Sequence, residues 1–233
     1  MPFVARRVVT GLYAVDVLIA LAFVGHLVFG PIGNTILARQ LMPAGEANFP
    51  TWYSSMQWAL AGVLLVLYAT HAPRHLKGGI RLYLPAAAAF ALSIDETAQI
   101  HEWIGQATDA LLPGGARSET FFAITGIWML ILVPIAMAAA VWIGVLVVDH
   151  LRAAPSAARL LIGGVAIFVV GAGVVEIATN LAAGNLPMQV AIETIEELTE
   201  MLGATTVVWG SLELLRAGGF RVVRATPGGC WRV

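Results

Sequence analysis

The chain has 233 residues, 59% of them hydrophobic and only 12% charged, with one cysteine, a formal net charge of -1 and a mean hydropathy of +0.83. A soluble domain of this length needs roughly 25% charged residues to cover its surface, about twice what is present. These values exclude an ordinary soluble enzyme, a disordered chain, a disulfide scaffold and a nucleic-acid binder, and they make lipid the outer solvent.

A membrane-crossing helix needs about 20 largely apolar residues. Six segments reach that length: 8–30, 52–70, 80–104, 120–148, 158–182 and 187–215. The first is too long for the apolar region of a cleaved signal, and its exit through Leu27 to Pro31 has no small-residue cleavage pattern. The 31–51 connection is the longest, with a short interfacial helix expected over Asn34–Met42, and Trp52, Tyr53, Trp58 and Trp103 suit headgroup boundaries. The expected fold class is therefore all-α: a polytopic integral membrane protein, one six-helix bundle over 1–216 with a Gly- and Arg-rich cytoplasmic tail over 217–233.

Basic residues orient it. With the N-terminus in the cytoplasm, Arg6, Arg7, Arg74, Lys77, Arg81, Arg152, Arg159, Arg216, Arg221, Arg224 and Arg232 are inside, leaving Arg39 and Arg117 outside. Eleven against two places both termini in the cytoplasm. His71, His75 and His150 then fall at the inner surface, and Cys230 lies in the tail without an intramolecular partner.

Ionisable side chains cost about 2.5–3.5 kcal/mol at a helix centre on insertion scales, so their positions carry information. The third segment ends Ser93-Ile94-Asp95-Glu96-Thr97-Ala98-Gln99-Ile100-His101-Glu102, the fifth carries Glu176 and Asn180, and the sixth opens Glu193-Thr194-Ile195-Glu196-Glu197-Leu198-Thr199-Glu200. His26 stands near the outer end of the first, and Asp16 near its middle. Counting about 1.5 Å per residue from the outer helix ends puts Asp95, Glu96, Glu176, Glu196 and Glu197 in one layer roughly 10–14 Å deep, with His26, His101, Glu193 and Glu102 roughly 3–8 Å deep. Glu193, Glu197 and Glu200 share one face of a helix; Glu196 with Glu200, and Asp95 with Glu102, do the same. The stretch 202–215 is too short to cross alone, which draws Glu200 and Glu197 into the membrane.

No Lys or Arg occurs in these segments near the acids, so they must share protons, stay wet or bind cations. Divalent metal is an efficient answer. The expected ligands are Asp95, Glu96, His101, Glu176, Glu193, Glu196, Glu197, Glu200 and His26, with Gln99 and Asn180 as outer hydrogen-bond partners that orient them. The inventory is like that of di-iron and di-manganese carboxylate bundles, although their Glu-x-x-His pairs are absent, as is His-Glu-x-x-His. The Ser-x-Asp-Glu-x4-His-Glu string together with Glu-Glu-x-x-Glu-Met-x-Gly resembles bacterial integral membrane proteins without an assigned activity, which implies the inner membrane and no particular reaction.

Three functions fit the sequence. The first is a membrane metal site open to the periplasm, serving a dinuclear oxidoreductase or hydrolase that acts on a lipophilic or small substrate. The second is a proton-coupled cation transporter, against which the outward bias of the acids counts. The third is a non-catalytic subunit or assembly factor bound to other membrane subunits. Lipid is a partner in all three; nucleic acid is a partner in none.

Overall fold

The computed structural model describes residues 3–29, 48–73, 79–112 and 120–220, with the isolated positions 40 and 76. The expected interfacial helix over Asn34–Met42, the tail beyond Phe220 with Cys230, and the side chain of His26 lie outside the described residues.

The described residues form helices without a strand: α1 (Phe3–Phe29), α2 (Phe49–His71), a 3-10 turn (Gly79–Tyr83), α3 (Leu84–Ala98), α4 (Ile100–Asp109), α5 (Met129–Leu146), α6 (Val148–Ala153) and α7 (Pro155–Val169). A π-helical segment (Val170–Val175), α8 (Glu176–Thr179), a 3-10 turn (Asn180–Ala182) and α9 (Leu186–Ala217) complete the order. Local chemistry fixes several starts. Asn48 caps α2 by accepting from Thr51 N at 3.1 Å, with Pro50 in the first turn, and Asn185 caps α9 by accepting from Met188 N at 3.3 Å, followed by Pro187.

Helix α9 is the axis of the bundle. From Met201 to Leu215 nearly every side chain is buried, and α1, α2, α7 and the π segment pack around it, with α3 packed on α2. In α1 the buried positions Val9, Asp16, Ile19, Ala20 and Phe23 make one stripe, while Val17, Leu18, Leu21 and Val24 face outward. The α7–α9 contact is built on glycine. A Cβ at Gly164 would stand 2.8 Å from Val207 N, and one at Gly203 would stand 2.7 Å from Phe168 N. Backbones approach this closely only where a side chain is missing. Of the other three glycines of the fifth segment, Gly171 in the π segment also rests against α9, a Cβ at Gly173 would stand 3.6 Å from Val133 of α5, and Gly163 faces open space.

The expectation of six apolar spans is corrected. Among the described residues, three stretches are long and apolar enough to cross a membrane on their own account: Ala5–Gly25, Met129–Leu146 and Pro155–Ala182. Helix α2 has the length, but it turns Thr51, Ser54, Ser55 and Gln57 inward. Helix α9 has the length, but it carries five glutamates. The expected third segment is not one helix, because Gln99 at φ 53° ends α3 after 15 residues, about 22 Å of rise, and α4 starts anew. The fourth begins at Met129 and not at residue 120; residues 121–125 form turns, ahead of Gly126 at φ 80°. His150, placed at the inner surface by sequence, is 1% exposed, its Nδ1 bonded at 2.7 Å to the Tyr68 hydroxyl.

Candidate functional site

The acids of three elements meet beside α9. Glu200 stands in the electrostatic field of Glu96 from α3, Glu176 at the start of α8, and Glu196 and Glu197 on its own helix. All five are half-buried. The π segment makes the meeting possible: a Cβ at Gly171 would lie 2.9 Å from Glu200 Cγ and 3.2 Å from both Glu200 N and Glu196 O, so only glycine lets the fifth segment rest against this turn. A π turn holds one residue more than an α turn, and it resets the direction of the helix before Glu176. On the other side, Ser54 Oγ donates to Glu96 Oε1 at 3.1 Å, and Ser55 Oγ donates to Ser93 O at 2.7 Å, tying α2 to α3.

Asp95 turns to a different task. Its Oδ1 accepts from His101 N at 3.0 Å and its Oδ2 from His101 Nδ1 at 2.9 Å. A carboxylate over the first N–H groups of a helix satisfies donors that have no partner within the helix and suits the positive end of its dipole. Asp95 therefore caps α4 and stabilises the left-handed conformation at Gln99, which costs a non-glycine residue about 1–3 kcal/mol. The His101 ring in turn lies against Trp128, centroids 4.9 Å apart. Because the helix breaks between them, the shared face expected for Asp95 and Glu102 does not form.

The remaining expected residues are dispersed. Glu193 lies two turns from Glu200 along α9; its Oε1 accepts from Gln189 Nε2 at 2.8 Å, and its Oε2 is buried without a hydrogen-bond partner among the described residues. Glu102 is half-buried on α4. Gln99 is the hinge between α3 and α4. Asn180 holds the 121–125 turns in place: its Oδ1 accepts from Ile124 N at 3.1 Å and Thr125 N at 3.3 Å, and its Nδ2 donates to Thr125 Oγ1 at 2.8 Å and Ile177 O at 3.1 Å. Among the described residues, no group of three or more His, Cys, Asp and Glu side chains has the arrangement to hold a metal ion. Each of the other four glutamates is near enough to repel Glu200, yet the five do not form a group able to hold a metal ion as they stand.

Sequence reasoning missed Ser54. The signal for Ser54 was the run of small hydroxyls and an amide, Ser54-Ser55-x-Gln57, inside an otherwise apolar segment.

A family model described as a domain of unknown function, DUF8692, matches residues 11–214. The chain belongs to this family. The match begins within α1 and ends three residues before the end of α9, so it includes all five converging glutamates. No curated protein and no solved structure matches the chain.

Proposed function

We propose that this chain is a bacterial inner-membrane protein, with six crossings and both termini in the cytoplasm, that binds divalent cations at the acid layer in exchange for protons. The observation that carries the reading is the meeting of Glu96, Glu176, Glu196, Glu197 and Glu200 around one turn of α9. No Lys or Arg occurs anywhere in 84–109 or 160–215, so these helices bring no fixed cation to the acids. Carboxylates crowded together away from bulk water discharge by taking up protons or by binding a cation, and a divalent ion cancels two charges at once. An all-oxygen donor set suits a hard ion such as Mn2+ or Mg2+. The side chains do not surround one point as they stand. Binding therefore requires Glu96, Glu196 and Glu200 to turn inward, a rotamer change open to long side chains.

Helices α2 and α9 cross in this topology with Ser54, Ser55 and Gln57 of α2, and Thr205, Thr206, Ser211 and Glu213 of α9, buried in the bundle. The short α3 crosses with the continuation of its chain through α4. The positive-inside distribution of the Arg residues sets the acid layer toward the periplasm.

Titration of the detergent-purified chain with Mn2+, followed by electron paramagnetic resonance in weakly buffered solution, tests this. Saturable binding is expected, with protons released and affinity at least tenfold weaker in Glu200→Gln. Absence of saturable Mn2+ binding, or equal affinity in the Glu96→Gln, Glu196→Gln and Glu200→Gln variants and the natural chain, would contradict it.

A further inference from the structure

A second polar site lies deeper in the bundle. Asp16, in the middle of α1, is fully buried. Its Oδ1 accepts from Gln57 Nε2 of α2 at 2.8 Å and its Oδ2 from the Thr205 hydroxyl of α9 at 2.8 Å. Gln57 Nε2 uses its other hydrogen on Thr205 Oγ1 at 2.7 Å. The Tyr53 hydroxyl lies beside both Asp16 and Gln57 and donates to Leu12 O at 3.2 Å. The titratable groups facing Asp16 are the phenols of Tyr13, on its own helix, and Tyr53 on α2; from α9 it meets only the neutral Thr205. A buried carboxylate supported by neutral donors alone is costly to keep ionised.

Thr205 differs from every other hydroxyl on α9. Thr194, Thr199, Thr206 and Ser211 each donate to the carbonyl four residues back, respectively Val190 O, Ile195 O, Leu202 O and Val207 O. Thr205 alone turns away from that acceptor, here Met201 O, to reach Asp16. Its hydrogen thus has two acceptors within a rotation about one bond.

We propose that Asp16 is a proton-binding site inside the membrane domain, and that the Thr205 hydroxyl switches between Asp16 and Met201 O with its occupancy. With Asp16 ionised, Thr205 donates to Oδ2. When a hydronium ion delivers its proton, one of its O–H bonds breaks and water is released, an O–H bond forms at Oδ2, the carboxylate charge is lost, and the new O–H donates to Thr205 Oγ1. The Thr205 hydrogen then turns to Met201 O, as its neighbours' hydrogens already do. Thr205 Oγ1 then accepts from Asp16 and Gln57 and donates once, which fills its hydrogen-bonding capacity. Thr205 lies five residues beyond Glu200, about 7.5 Å along the axis, and Gln57 lies three beyond Ser54, about 4.5 Å, so this proton is held one layer deeper than those of the glutamates.

Infrared difference spectroscopy of the full chain in lipid nanodiscs, recorded through a pH titration, reads the carboxylic-acid C=O stretch directly. A pH-dependent band is expected that disappears in Asp16→Asn, persists in Glu200→Gln, shifts to higher frequency in Thr205→Val and returns in Thr205→Ser. A spectrum unaltered by Asp16→Asn overturns the proposal. So does a band at the same frequency in Thr205→Val and Thr205→Ser, and that pair decides the matter if Asp16→Asn does not fold. Asp16→Asn is expected to keep Mn2+ binding, so failure of this proposal is distinguishable from failure of the cation-binding one.

Discussion

Replacing Gly203 with alanine sets helix propensity against packing at the α7–α9 contact. Exchanging glycine for alanine inside a helix gains about 1 kcal/mol. At Gly203 the added Cβ would meet Phe168 N at 2.7 Å, Phe168 Cβ at 2.8 Å and Gly164 O at 2.9 Å. Two of these atoms are backbone and the third is fixed to it, so no flexible side-chain tip can yield. Overpacking of this kind costs about 1–3 kcal/mol, and the rigid contact places Gly203→Ala at the upper end. The net expectation is a loss of about 2 kcal/mol. Gly163→Ala is the matched control: nothing lies within 4 Å of its Cβ, so it keeps the propensity gain. Gly164 faces Gly203 across the contact, and a single outward shift of α7 relieves both clashes. The Gly164→Ala/Gly203→Ala double variant should therefore lose less than the sum of the two singles. Reversible unfolding in mixed micelles, followed by helical circular dichroism, measures all four. A Gly203→Ala variant as stable as Gly163→Ala would refute the close contact.

Two further outcomes follow from the site. Asp95→Ala should cost about 1–2 kcal/mol through loss of the α4 cap, with Asp95→Asn retaining part of it, while Mn2+ affinity is unchanged in both; a loss of Mn2+ binding in Asp95→Asn would return Asp95 to the acid layer. Asn180→Ala removes the acceptor for Ile124 N and Thr125 N, at about 1–3 kcal/mol, and should speed amide hydrogen exchange at those two residues, whereas unaltered exchange there would show that the turns are held by other contacts.

The helical character was legible in the sequence, and so were the acids within apolar segments, because charge there is expensive and such residues mark themselves. Counting residues singled out Glu96, Glu176, Glu196 and Glu197 together with Asp95, and put Glu200 on the same helix face as Glu196; that Glu200 is the acid the others meet, and that Asp95 is not among them, comes from the fold. The break at Gln99 could not be read in the same way. Asp95 looks like another membrane acid, and its role as a cap depends on a left-handed residue four positions later that no local pattern announces. The late start of α5 was hidden similarly, since Phe121 to Trp128 is apolar enough to read as helix and its turns are held by Asn180, more than fifty residues away. Apolar length alone overcounted the self-sufficient spans. It does not separate a helix that is apolar all round from one, like α2, whose hydroxyls and amide face the bundle. The burial of His150 was not legible because its partner, Tyr68, lies 82 residues earlier in the chain.

Cysteine cross-linking in native membranes tests the convergence of the acids most directly. In a Cys230→Ser background, the Glu96→Cys/Glu200→Cys pair should be joined rapidly by a short bifunctional reagent. The Ile94→Cys/Glu200→Cys pair should not, because Ile94 is 56% exposed and two residues from Glu96, about 200° around α3. Equal cross-linking of both pairs, or none of the first, would contradict a common acid layer on α9.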